Sequence, residues 1–247
     1  MVEISESLIS IQQNKLKNFK ISWCKNFDEF IQKKSLDSEI IFISNELFDC
    51  FAIDQYVKTD IGWCMRLIDI KNQKIDFKLD NFNPKIHQFI EENLGYKESQ
   101  NAPISAVFEF SQSGFNFANQ LFKAIKEFGG IAINIDYGHE NLEFTNTLQA
   151  ISNHQKIKFS DILTLNKKCD ITSHVDFLML DRVAKKSNLE TSLVNQGDFL
   201  LSLGILTRKE QILKQKNIDQ EKVNNAINRL INKEEMGDLF KVHIAWR

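Results

Sequence analysis

Asn45-Glu46-Leu47-Phe48-Asp49 places an amide and two carboxylates directly behind the apolar run Ile40-Ile41-Phe42-Ile43. Two carboxylates at one strand end can hold a cationic group, and a planar guanidinium fits a carboxylate as a two-pronged fork. The same residues also fit an ordinary helix cap at Asn45 or Glu46. A second cluster, Asp136-Tyr137-Gly138-His139, follows the run Ile131 to Ile135. Gly138 permits a tight turn and the close approach of a ligand. His139 can accept a proton or donate a hydrogen bond, although a structural turn with a surface histidine explains the same pattern. Glu3 closes the opening stretch, where an acidic side chain can accept hydrogen bonds from both hydroxyls of a ribose. A plain surface glutamate would look no different. Asp170 to Asp176 brings His174 and Asp176 to a helix start, with Thr172 as its expected cap.

These groups matter only if elements hold them at one rim, since ligands of open α/β sheets bind outside the carboxyl ends of the strands. The pattern predicts such elements. Residues 1–4 read as the end of a strand, Ser5 as the cap of a helix with Leu8, Ile11 and Leu16 inward, and Asp28 as the start of a short helix. Glu39 to Ser44 is a continuous apolar run of strand length, which suits a parallel strand covered on both faces. Residues 53–80 read as strands and hairpins. Asn83-Pro84 is a helix start and Gly95 its stop. Phe117, Leu121, Phe122, Ile125 and Phe128 form a helical stripe that ends at Gly129-Gly130, followed by a strand over Ile131 to Asp136. Thr207 to Glu210 has capping-box spacing, Asp219 opens another helix, and Leu239 to Trp246 closes the chain as a strand. The class is α/β, with a β-rich and helical insertion over about 53–110.

Composition narrows the function. The formal net charge is −2 and no long basic stripe occurs, so the electrostatic footprint of a nucleic-acid binder is missing. The pairs Lys33-Lys34, Lys167-Lys168 and Lys185-Lys186 read as solvated surface. No apolar run approaches the ~20 residues that span a bilayer, which excludes membrane insertion by a helix, and the first residues resemble no targeting segment. Cys24, Cys50, Cys64 and Cys169 lack Cys-x-x-Cys spacing and the five histidines lack His-x-x-x-His spacing, so no metal site is expected. Neither a Gly-x-Gly-x-x-Gly nor a phosphate-loop motif is present.

Taken in order, several stretches resemble the MidA-like family of S-adenosylmethionine-dependent methyltransferases, related to the methyltransferase of mitochondrial complex I assembly. They are Met1-Val2-Glu3-Ile4-Ser5, Ser44 to Asp49, Gly129 to His139, Thr147-Leu148-Gln149-Ala150, Asp170 to Phe177, Gln196 to Leu200, and Glu235-Met236-Gly237 with Leu239 to Val242. The resemblance implies a Rossmann-like class I sheet, S-adenosyl-L-methionine as cofactor, and methylation of protein arginine on a subunit of respiratory complex I. It implies a bacterial cytoplasm or a mitochondrial matrix as the setting.

By the same resemblance Glu3 would bind the cofactor ribose, and Asn45, Glu46 and Asp49 would lie beside the transferring methyl with His139 as proton acceptor. Phe48, Asp136, Tyr137, Gly138, His174 and Asp176 would line the substrate side. Members of the family carry a further segment before the position of Met1, with the first strand and its Gly-x-Gly loop. The expectation is therefore a sheet incomplete at its amino-terminal end, with that segment as a partner by strand addition. The competing expectation is a non-catalytic remnant that serves as a protein-binding assembly factor.

Overall fold

The computed structural model describes residues 1–33, 38–72, 74–152, 155–165 and 169–247. Lys34, Lys167 and Lys168 of the expected surface pairs, and His154, lie outside the described residues.

Ser5 caps α1 (Glu6–Lys15), its hydroxyl accepting from the Leu8 N–H. The helix lies on the surface, with Leu8 and Ile11 about half exposed, contrary to the expected inward stripe. Its tie to the neighbouring chain is polar: Gln12 bonds both Glu3 and Trp23. Residues 1–4 do not form the expected strand end but a single parallel bridge, Val2 to Cys24. Local bonds hold them there, from the Met1 ammonium to the Ser22 carbonyl and from the Ser5 N–H to Glu3. Next, α2 (Phe27–Lys33) buries Phe27 against Phe42 and Phe117.

The apolar run becomes β1 (Ile40–Asn45). It is not covered on both faces: Ile40 is buried, whereas Ile41 and Ile43 are 75% and 65% exposed. An apolar run reports burial on a strand's average, not the number of layers around it, and among the described residues only the Ile40, Phe42 and Ser44 face of β1 is covered.

Residues 54–110 then fold as an antiparallel sheet with two helices: β2 (Asp54–Thr59), β3 (Gly62–Lys71), β4 (Lys74–Leu79), α3 (Pro84–Leu94), α4 (Tyr96–Asn101) and β5 (Val107–Phe110), in the order β4-β3-β2-β5. Asn83 and Pro84 begin α3 as expected, the Asn83 side-chain Oδ1 accepting from the Lys85 N–H. Trp63, Ile90, Leu94 and Phe108 form the core of this unit.

The Phe117 stripe forms α5 (Gln112–Phe128), capped by Ser111 and stopped at Gly129. It leads into β6 (Gly130–His139), which pairs in parallel with β1 from Gly130 to Ile135. A three-stranded sheet follows, with β7 (Gln149–Ser152), β8 (Gln155–Ile157) and β9 (Asp170–Thr172). Then β10 (Val175–Asp176) joins β6 in parallel at Gly138 and His139. The cap of α6 (Phe177–Lys186) is Asp176, not Thr172, because Asp176 accepts from the Met179 N–H. After β11 (Glu190–Asn195) come α7 (Gln196–Ser202), α8 (Ile205–Leu213) and α9 (Gln220–Ile231), capped by Asp219. The expected box at Thr207 does not start α8; the left-handed Gly204 turns the chain earlier and leaves Thr207 inside the helix. Finally β12 (Phe240–Trp246) runs antiparallel between β6 and β11, which gives a mixed sheet in the order β1-β6-β12-β11.

One main core lies between this sheet and α5 and α6, around Leu121, Phe122, Ile125, Phe177 and Leu180. Phe48 and Phe51 pack edge-on or tilted against Phe117 of α5. Each such ring contributes roughly 2 kcal/mol by burial, enough to fix the short turn over Phe48–Cys50 that carries Asp49.

Candidate active site

The end of β1 is shaped by one unusual residue. Glu46 has a φ of +51°, a left-handed conformation that costs a non-glycine residue about 1 kcal/mol or more. Its N–H continues the ladder to the Ile135 carbonyl, 2.9 Å away. The reversal sends the chain from β1 across the end of β6. Asn45 and Glu46 remain exposed at the rim, where the Asn45 amide donates to the Glu46 carboxylate.

Asp136, in β6 just past its last residue paired with β1, lies under that turn and is 1% exposed. Its carboxylate accepts the N–H groups of Phe48 (2.9 Å) and Asp49 (3.2 Å) on one oxygen and that of Tyr137 (2.9 Å) on the other. Burial pushes its pKa up to about 7, the Asp49 charge pushes the same way, and the three N–H donors oppose both. Lys241 is its neighbour across the ladder on β12, but that ammonium donates to Asn195 and to the Asp238 carbonyl. Asp136 therefore braces the 48–49 backbone through its carboxylate.

Asp49 is fixed at its side chain as well. The Tyr137 hydroxyl donates to Asp49 Oδ2 at 2.6 Å, and Thr172 Oγ1 lies 3.3 Å from the same oxygen. Tyr137 and Thr172 also bond each other. Burial, and then the hydrogen bond to Asp49, raise the Tyr137 pKa, so the phenol stays protonated and donating. Its ring is held by Phe240 at 5.4 Å. On the other oxygen, Asp49 Oδ1 takes the weak thiol donor of Cys50. Burial, and then the adjacent Asp49, push the Cys50 thiol up to about 11.

A second group gathers beside the first. His139, His174 and Asp176 line a cavity of about 40 Å³ together with Phe48 and Glu109. His139 Nδ1 pairs with the Asn141 carbonyl at 2.8 Å. The His174 ring, pushed down in pKa by burial and by His139, stands edge-on to Tyr137. Burial pushes the helix-capping Asp176 up. Gly138 lets β6 and β10 pair closely, because a Cβ there would lie 2.0 Å from the Val175 carbonyl oxygen of β10. Glu3 stands in its own corner, where its oxygens accept from the Ser5 N–H and the Gln12 amide and these bonds lower its pKa.

The structure thus joins Phe48, Asp49, Asp136 and Tyr137 into one unit and sets His139, His174 and Asp176 next to it. Thr172 belongs to the unit without having been expected there. Glu109 was missed too: it accepts from Gln55 and from Thr147, whose hydroxyl in turn accepts the His174 N–H. That chain ties the second sheet to the rim of the first. Among the described residues no group of His, Cys, Asp and Glu is placed to hold a metal ion.

The whole chain superposes on two crystal structures of one superfamily from Burkholderia thailandensis, a native form and one bound to S-adenosyl-homocysteine. For each the TM-score is 0.80 at 22% identity, and 65% and 63% of those chains are covered. The fold is that of the class I methyltransferases. Residues 1–194 match the family described as "Putative S-adenosyl-L-methionine-dependent methyltransferase", and the chain belongs to that family. It is similar to the Protein arginine methyltransferase NDUFAF7, mitochondrial, of Xenopus tropicalis (30% identical, over 81% of this chain and 45% of the relative). The protein of the same name in Rattus norvegicus is 26% identical over 96% of this chain and 51% of its own length. A Caenorhabditis elegans homolog is 28% identical over 96% and 52%. The chain spans about half the length of the curated relatives it matches.

Proposed function

We propose that this chain carries the acceptor side of an S-adenosylmethionine-dependent methyltransferase that modifies arginine in a protein. The observation that carries the reading is Asp49, a carboxylate locked by Tyr137 and Thr172 at a rim that opens to a groove. Such a group orients a guanidinium by charge-assisted hydrogen bonds.

Glu3 fits the cofactor. Each of its oxygens accepts one hydrogen bond and keeps a second acceptor position, which suits the two hydroxyls of a ribose. Bound S-adenosylmethionine supplies a methyl already activated on sulfonium sulfur, so the protein's task is alignment and proton release. Asp49 holds the guanidinium, and exposed Glu46 adds a second negative charge at the rim. Asp136 keeps Asp49 in place through the backbone. As the acceptor nitrogen gains its methyl it loses a proton, which His139 in the adjoining cavity takes through water.

The uncovered side of β1 completes the reading. Ile41 and Ile43 are exposed on a strand that pairs on one side only among the described residues. A further parallel strand would pair with the free backbone edge of β1, while Ile41 and Ile43, which project from one face of the sheet, call for a covering element beside it. From the family resemblance, the protein substrate is a subunit of respiratory complex I, in a mitochondrial matrix or a bacterial cytoplasm.

Incubation with methyl-labelled S-adenosylmethionine and purified complex I, followed by amino-acid analysis, tests this. Label in methylarginine is expected. Label confined to lysine, or a stable complex with no transfer, overturns the arginine reading, and the latter would favour an assembly factor.

A further inference from the structure

A groove of about 480 Å³ runs away from Asp49, within the range that binding clefts occupy. Its walls come from two additions to the main sheet. One side is the antiparallel sheet, with Met65, Ile68 and Phe77; the other is the β7–β9 region, with Leu148, Phe159 and Ile171. Ile68 and Ile171, one on each wall, are 60% and 52% exposed, so large apolar side chains form its lips. Phe77 and Phe159 stack at 5.3 Å across the two walls.

The groove's own cation is already engaged. The Arg66 guanidinium lies 3.9 Å over the Phe77 ring and donates to Gln55, and Gln55 in turn donates to Glu109. What the groove offers a ligand is therefore an apolar length with carboxylates, Asp49 and Asp54, at one end. That complements a polypeptide bearing a cation beside a bulky apolar residue, and complements neither an anionic chain nor an acidic peptide.

We propose that this groove selects the protein substrate by an aliphatic or aromatic side chain close in sequence to the acceptor residue, with Ile68 and Ile171 as specificity-determining residues. The acceptor's seat at Asp49 rests on the methyltransferase reading; the apolar preference of the groove does not. A site that adds one apolar contact discriminates by roughly 10- to 200-fold, so the preference is measurable in short peptides.

The test uses fluorescent peptides with one central arginine and a leucine, phenylalanine, serine or aspartate at each flanking position in turn. Anisotropy reads their binding, and label from S-adenosylmethionine reads transfer in parallel. Leucine or phenylalanine peptides are expected to bind at least tenfold tighter than serine peptides at one or two positions. Ile68→Asp and Ile171→Asp, changes at exposed positions, are expected to abolish that difference, and thermal melts verify their folding. Binding with the apolar preference but without transfer sustains the groove and overturns the catalytic reading. Transfer that ignores the flanking residue, an unchanged preference in both variants, or no peptide binding overturns the groove proposal.

Discussion

The phenolic oxygen of Tyr137 stands 2.6 Å from Oδ2 of Asp49, joining residues 88 positions apart at the meeting of β6 and the turn after β1. Neither side chain could hold this arrangement alone. Asp49 is on a short turn pinned by Phe48 and Phe51, and Tyr137 is on β6 beside its ladder partner Phe240. The hydrogen bond makes one rigid acceptor surface out of two elements.

Tyr137→Phe keeps the ring packing and deletes the donor. A hydrogen bond to a charged group contributes roughly 1.5–3 kcal/mol, so kcat is expected to fall about 10- to 100-fold with a small change in KM. Thr172→Val is expected to act in the same direction and less strongly, because its oxygen is farther from Asp49. Steady-state kinetics of the two variants and their double mutant check this. A sub-additive double mutant is expected, since both hold one carboxylate.

Asp136 and His243 set opposite pH dependences of stability. Asp136 titrates near 7 in the fold, above an ordinary aspartate. From about pH 4 to 7 the unfolded chain has lost this proton and the folded one has not, so the contribution falls as pH rises through that window. His243 is fully buried, and burial lowers its pKa to about 4. Its contribution falls as pH drops from about 6.5 to 4, because the unfolded chain binds the proton first. A tenfold difference in proton affinity between the folded and unfolded chain corresponds to about 1.4 kcal/mol. Denaturant melts at pH 4, 5.5 and 7 are expected to show a flatter low-pH side in His243→Leu and a flatter rise toward pH 4 in Asp136→Asn.

Gly138 and Gly204 give a steric contrast. A Cβ on Gly138 meets the Val175 carbonyl at 2.0 Å, whereas one on Gly204 meets nothing within 4 Å. Gly138→Ala is expected to lose about 3 kcal/mol by overpacking and to disturb Thr172 through the displaced β10. Gly204→Ala carries only the left-handed backbone strain, about 1 kcal/mol. Chemical denaturation of the pair, with activity in parallel, separates the packing effect from the strain.

Local signals were legible in the sequence. Ser5, Asn83 and Asp219 cap their helices because a cap needs only residues two or three positions away. The stripe from Phe117 to Phe128 identified α5 for a similar reason. The site was legible in its residue types and not in their hydrogen-bond partners. Asp136, expected on the substrate side, has its carboxylate on the N–H groups of the Phe48–Cys50 turn, 87 and 88 positions away. Thr172 was expected as a cap, and it touches Asp49, 123 positions away. Nothing in the neighbours of a threonine encodes a partner at that distance. Ile41 and Ile43 mark the same limit for burial, since an apolar run does not say which face is covered.

Asp49→Asn, measured for methyl transfer and for S-adenosylmethionine affinity in one preparation, tests the central claim most directly. Removing a charge that acts on the acceptor is expected to lower kcat at least about 100-fold and to leave cofactor affinity within twofold. Full activity in the variant, or an equal loss of cofactor affinity, would contradict the placement of the acceptor at Asp49.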